Sequence, residues 1–209
     1  LMLQALHPRA LAGVWDHSDF RGDLVGRLRR TTAFVAGTTF AGTEQAQRLI
    51  RRVTAIHTRV RGETADGVAY AADDPELLTW VHVTEAYAFL QGFNAYAGLP
   101  GPAGFGDRYY DETRRVAEAL GACDVPADAA RVAAYFARVR PELRYDARSR
   151  EVLAVLRNVR LPVPGATLSR ELFLGAGAAL LPPWAEALLE IGPLQRARHR
   201  ACASALRAA

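Results

Sequence analysis

Residues 43–62 read TEQAQRLIRRVTAIHTRVRG, and this stretch decides the fold. Thr43 follows Gly42 and can cap a helix, Glu44 stands in its first turn, and Gly62 is expected to stop it. At about 100° per residue, Ala46, Leu49, Ile50, Val53, Ile56, His57 and Val60 fall within an arc of roughly 120°. Arg48, Arg51, Arg52 and Arg59 fall elsewhere. The pattern predicts an amphipathic helix over 43–61 with His57 on its buried face. An unpaired buried imidazole costs about 1–3 kcal/mol. His57 is therefore either a core histidine bonded to a carbonyl or a ligand.

The preceding segment, residues 21–40, is also helical and turns into this one at Ala41-Gly42. Arg27 and Thr31 lie one turn apart on one face, which Thr38 extends. A guanidinium suits a carboxylate or another bound anion, and a hydroxyl can orient a ligand or water. The alternative is a surface arginine beside a threonine bonded to its own helix.

Helical patterns continue outward in both directions. Residues 1–16 form a helix that Pro8 starts or kinks, followed by the break at Ser18-Asp19. Residues 62–73 are the one stretch suited to a small hairpin or ordered loop. Asp74-Pro75-Glu76 is a strong helix start, opening a helix that runs to about Tyr96. Residues 98–106 form a loop rich in glycine and proline. Helices follow near 107–120 (stopped by Gly121), 127–139, 146–158, 167–181, 183–191 and 193–207, with Leu161–Gly165 extended. No period-2 strand of convincing length and no repeat interrupts them. The expected fold class is all-α, a compact multi-helix domain spanning residues 1–209.

Composition narrows the function. Half of the 209 residues are hydrophobic, enough for a substantial core. All 26 basic residues are arginine, so no lysine amine can serve as a Schiff-base former, general base or iron ligand. The net charge of +4 is modest and the arginines are dispersed, unlike a nucleic-acid surface. Cys123 and Cys202 form neither CxxC nor zinc spacing, which leaves a reduced cytosol as the default compartment. Pro182-Pro183 and Glu186 interrupt the apolar run 172–189, so a buried helix followed by a break is expected there, and membrane association is not indicated. The chain opens in a helical pattern at Leu1-Met2-Leu3-Gln4, as if some native N-terminal residues precede it. His82 and Glu85, at i and i+3, reverse the Glu-x-x-His order of di-iron bundles. Nucleophile elbows, phosphate loops and dinucleotide fingerprints are missing.

One ordered set of motifs runs the length of the chain. It comprises Leu3-Gln-Ala-Leu-His7-Pro8-Arg9, Asp16-His17-Ser18, Arg27-x-x-x-Thr31, His57-x-x-Val60-x-Gly62, Tyr70-x-Ala72-x-Asp74-Pro75, Trp80-Val-His82, Tyr109-Tyr110-x-Glu112 and Leu181-Pro-Pro-Trp184. In this the chain resembles the MpaB/rubber-oxygenase catalytic-domain family, which includes the latex-clearing proteins. The resemblance implies a haem b protein with a globin-like helical core. It also implies O2-dependent oxidation or C=C cleavage of a small hydrophobic substrate, such as an isoprenoid. Partners are then the substrate and O2, with no nucleic acid and no metal beyond the haem iron.

By the same resemblance His57 is the proximal iron ligand. Arg27 and Thr31 support the haem from the other side, and His82 joins the cofactor-binding residues. In the latex-clearing proteins a lysine that can cap the iron precedes the motif threonine. Here that position is Arg30, which stays protonated. The glutamate base placed upstream of the motif arginine in those enzymes is also missing, since Glu44 is the first glutamate. His17 is the candidate for the catalytic, distal contact, because Val14 and Trp15 suggest a buried approach. Its alternative is a bond to the backbone near Ser18, away from the haem. The competing function is a non-catalytic helical binding protein for haem or a hydrophobic ligand.

Overall fold

The protein is described by a computed structural model covering residues 1–98, 101–159 and 166–208. It is all-α, as expected. A short 3-10 turn at Gln4–Leu6 leads into α1 (Pro8–His17), with Pro8 at the first helical position. Helices α2 (Leu24–Phe40) and α3 (Thr43–His57) follow, joined by two residues. Strands β1 (Arg61–Glu63) and β2 (Ala69–Ala71) pair antiparallel, Gly62 opposite Tyr70, as the hairpin expected between 62 and 73. The remaining helices are α4 (Pro75–Tyr96), α5 (Phe105–Leu120), α6 (Ala129–Val139), α7 (Ala147–Arg157), α8 (Ala166–Ala178), α9 (Pro183–Leu188) and α10 (Pro193–Arg207).

Helix α4 is the axis of the core because its sequence is apolar almost all round. It starts as its residues dictate. Asp74 accepts hydrogen bonds from the backbone amides of Glu76 (2.8 Å) and Leu77 (3.3 Å), and Pro75, which has no N–H, needs no acceptor. Trp80, Val83, Ala86 and Leu90 are buried together with Leu6, Tyr110, Phe136, Leu153 and Ala185. Trp80 is fully enclosed and meets the ring of Phe136 edge-on at 6.2 Å. A smaller cluster of Ala12, Tyr70 and Leu77 ties α1 and the hairpin to the start of α4.

Several boundaries differ from the sequence expectation, each for a local reason. The cap of α3 is Gly42 rather than Thr43, and no side chain bonds there. The helix ends at His57, not at residue 61. The Arg59 amide turns back to Ile56, the Val60 amide to His57, and the strand pairing then takes Arg61. Gly62 is thus a strand residue. A Cβ there would lie 2.6 Å from the Tyr70 hydroxyl, so the glycine serves that close approach and not a helix stop. Gly121 does close α5, in the left-handed region at φ 106°.

The break after α8 falls at residues 179–182, as the prolines imply, but α8 is not a buried helix throughout. It packs on α10, where a Cβ on Gly175 would strike Cys202, and Ala176 and Ala178 are buried, while Leu168 and Phe173 are exposed. The stretch expected to be extended, 161–165, lies outside the described residues. No described helix is long and apolar enough to cross a membrane.

Candidate functional site

Helices α2 and α3 form an antiparallel hairpin with unusual burial. Helix α3 has no fully buried residue and α2 has only Gly26. Ala46, Leu49, Ile50, Val53 and His57 lie half-buried along the stripe the wheel identified, but Ile56 is 51% exposed. The wheel gave the direction of this face correctly and overstated its cover. Where the helices touch, the Leu49 side chain occupies the space a Cβ on Gly37 would need.

Arg27 and His57 lie at similar distances along their helices from the turn of this hairpin. Arg27 is 14 residues before Ala41 and His57 is 15 after Gly42, about 21 and 22 Å of helix at 1.5 Å per residue. The Arg27 guanidinium is half-buried and donates from Nη1 to the Ser18 hydroxyl at 2.6 Å. Among the described residues no carboxylate pairs with it, in contrast to Arg9, Arg21, Arg61, Arg114 and Arg144. Burial and the charge of Arg30 push its pKa down. The Thr31 hydroxyl donates to the Arg27 carbonyl at 3.1 Å, so its proton is held by its own helix. Arg30 pairs with Asp23 at 3.2 Å on the exposed side.

The His57 ring ends α3, half-buried, with no hydrogen-bond partner among the described residues. Burial lowers its pKa against the pull of Asp73, which favours the neutral imidazole. Arg61 organises this corner. Its guanidinium holds Asp73 at 3.0 Å, and its carbonyl accepts a hydrogen bond from Nε2 of His17 at 3.1 Å. His17 is exposed and meets Tyr70 edge-on at 6.2 Å. The ring thus bonds backbone far away in the chain, on β1, rather than the backbone beside Ser18, and its Nε2 proton is engaged. Ser18, which anchors Arg27, is the next residue.

His82 stands apart, half-buried on α4, where burial pushes its pKa down to about 4. One turn on lies Glu85, also half-buried, with no hydrogen bond or ion pair among the described residues. Burial raises the Glu85 pKa, and it raises that of Tyr109 on α5 to about 12, with Glu85 adding to the effect. Sequence reasoning named His82 as a cofactor-binding residue but Glu85 only as half of a failed di-iron pattern. The readable signal was a carboxylate in line with Phe89 and Phe93 in the middle of a largely apolar helix.

The structure thus brings His57, Arg61, Asp73 and His17 to one corner, with Arg27 fastened beside it through Ser18. Thr31 extends the Arg27 face toward the exterior, and His82 belongs to the α4–α5 side. Among the described residues no three His, Cys, Asp or Glu side chains converge as ligands for a bare cation. No curated protein and no solved structure matches the chain. A family model does match, over residues 1–208, and its description is that of an oxygenase catalytic domain. The chain belongs to this family, the ER-bound oxygenase mpaB/B′/rubber oxygenase catalytic domain.

Proposed function

We propose that the chain is a haem-dependent oxygenase domain acting on a small hydrophobic substrate with O2, with His57 as the protein's iron ligand. The observation that carries this reading is the α2–α3 hairpin. It carries a neutral imidazole and a half-buried guanidinium, neither with a carboxylate partner among the described residues, on helices whose apolar faces are only half covered. These are the complements of a flat apolar group carrying carboxylates. An axial ligand needs a neutral ring nitrogen, a propionate suits the planar fork of Arg27, and the half-covered stripe supplies apolar wall. A single histidine suffices when a macrocycle provides the other ligands. Bound there, haem would supply the iron for O2 chemistry.

The other residues act through position. Ser18 orients the Arg27 guanidinium, and the Arg61–Asp73 pair fixes the corner around His57. His17, with Nε2 tied to the hairpin, steadies that corner and reaches any catalytic role only through Nδ1. Thr31 and His82 enter as wall residues, one with its hydroxyl turned to its own helix and the other neutral at pH 7.

Haemin titration of the purified protein, followed in the Soret region, tests this reading. A saturable one-to-one complex is expected. No Soret band in excess haemin would remove the haem reading and favour a binding module for a hydrophobic ligand.

A further inference from the structure

The tip of the α2–α3 hairpin and the arginines behind it lie outside the site described above. Residues 24–59 carry seven arginines and one acid, Glu44, a local charge of +6. The whole chain carries +4, so its remaining residues sum to −2. Arginines that stand apart in the sequence are thus gathered on one hairpin. Arg29, Arg30, Arg48, Arg51, Arg52 and Arg59 are all exposed. Arg30 pairs with Asp23 and Arg48 with Glu44, and among the described residues the others have no carboxylate partner. Arg48, Arg51 and Arg52 fall within an arc of about 100° on α3, on the side away from His57.

The end of the hairpin has the opposite character. Residues 31–43, TTAFVAGTTFAGT, contain no charged group. Phe40, the last residue of α2, is 86% exposed, the most exposed large apolar side chain among the described residues. One exposed apolar residue needs no explanation by itself. Its position does, because it ends a hairpin that hardly enters the core, with Gly26 the one buried residue of its two helices. The two characters are layered along the hairpin. At 1.5 Å per residue, Arg48, Arg51 and Arg52 lie about 9, 14 and 15 Å from Gly42, and Arg30 about 17 Å from Ala41. A protein partner buries apolar contacts at the centre of a patch with a polar rim. Here the apolar group stands at the extremity, ahead of the charges. That order is complementary to a bilayer, where an acyl boundary lies beneath anionic headgroups.

We infer that the α2–α3 tip docks on an anionic lipid bilayer, with Phe40 entering the acyl boundary and Arg48, Arg51 and Arg52 meeting the headgroups. Glu44 sets the depth. Arg48 holds its carboxylate at 3.6 Å, and the pair stays among the headgroups while Phe40 reaches past them. Arg51 and Arg52 then stand within about one Debye length, 8–10 Å, of the surface. No described helix is long and apolar enough to span a membrane, and a contact made at the bilayer surface requires none. The docking does not depend on the haem reading, because the arginine face and His57 occupy opposite sides of α3.

Sedimentation with vesicles tests it, using phosphatidylcholine alone and mixed with phosphatidylglycerol. Wild type should bind the mixed vesicles, release them as salt is raised, and leave pure phosphatidylcholine largely in solution. The double variant Arg51→Gln, Arg52→Gln should bind at least tenfold more weakly, and Phe40→Ser several-fold more weakly. The double variant Arg198→Gln, Arg200→Gln removes the same charge from exposed positions of α10 and should bind as wild type does. Phe40→Trp should gain fluorescence that lipids brominated on their acyl chains quench, beyond any quenching of wild type. All these substitutions are at exposed positions, so circular dichroism should be unchanged. No binding to phosphatidylglycerol vesicles at low salt would overturn the inference. So would equal loss in the α3 and α10 double variants, or an unquenched Phe40→Trp with full binding by Phe40→Ser. A wild-type dimer that Phe40→Ser dissociates would assign the tip to a second copy and overturn it as well.

Discussion

Replacing Gly62 by alanine tests how the hairpin holds the site. An added Cβ would lie 2.6 Å from the Tyr70 hydroxyl oxygen, 2.9 Å from Cζ and 3.1 Å from Cε1. The ring cannot swing clear, because Tyr70 is 4% exposed and packed with Ala12 and Leu77. Its hydroxyl donates to Asp16 at 2.6 Å, so the new methyl forces this bond to lengthen or break. A hydrogen bond to a carboxylate contributes about 1.5–3 kcal/mol. Narrowing the unfolded ensemble returns about 0.4–1 kcal/mol. The net loss should be about 1–2 kcal/mol, a drop of a few degrees in Tm for a chain of this length. Urea unfolding of Gly62→Ala, Tyr70→Phe and the double variant measures it. The alanine should cost less in the Tyr70→Phe background, where the nearest atom is gone. A Gly62→Ala protein as stable as wild type, or strict additivity in the cycle, would refute the reasoning.

Other outcomes follow from single groups. Arg27→Ala should lose haem about tenfold or more faster in a transfer assay, since a charge-assisted bond of about 1.5–3 kcal/mol is removed; Arg27→Lys should recover part of it, having charge without the planar fork. Unchanged haem retention in Arg27→Ala would count against the assignment. His7 is 4% exposed, with Nε2 3.7 Å from Glu142, and burial pushes its pKa down to about 4. The unfolded chain takes up this proton near pH 6.5 and the fold only near 4, so the group destabilises the fold increasingly as pH falls through that window, by about 3 kcal/mol in full. Urea midpoints at pH 7 and pH 5 should therefore converge in His7→Gln relative to wild type, and an identical pH dependence would contradict this.

What was legible in the sequence was what neighbours in the chain decide. Asp74-Pro75-Glu76 opens α4 as expected, because a cap acts within one turn. Gly121 ends α5 for the same reason. The order of motifs from His7 to Trp184 pointed to the family. Gly62 misled because its purpose is Tyr70, eight residues away and brought opposite only by strand pairing. The wheel placed His57 on the inward face of α3, but a wheel cannot say what lies across from that face. The protein itself covers it only in part, leaving Ile56 half in water. Nothing local announced that the His17 ring would bond Arg61.

The most direct test of the central claim is the haemin titration of His57→Ala beside wild type, followed by absorption and circular dichroism. His57 is half-buried and makes no hydrogen bond among the described residues, so its truncation should leave the helical signal intact. The account predicts a folded variant whose Soret band is lost or strongly shifted, and restored toward wild type by added imidazole. A folded His57→Ala protein with wild-type haem affinity and an unchanged Soret band would contradict it.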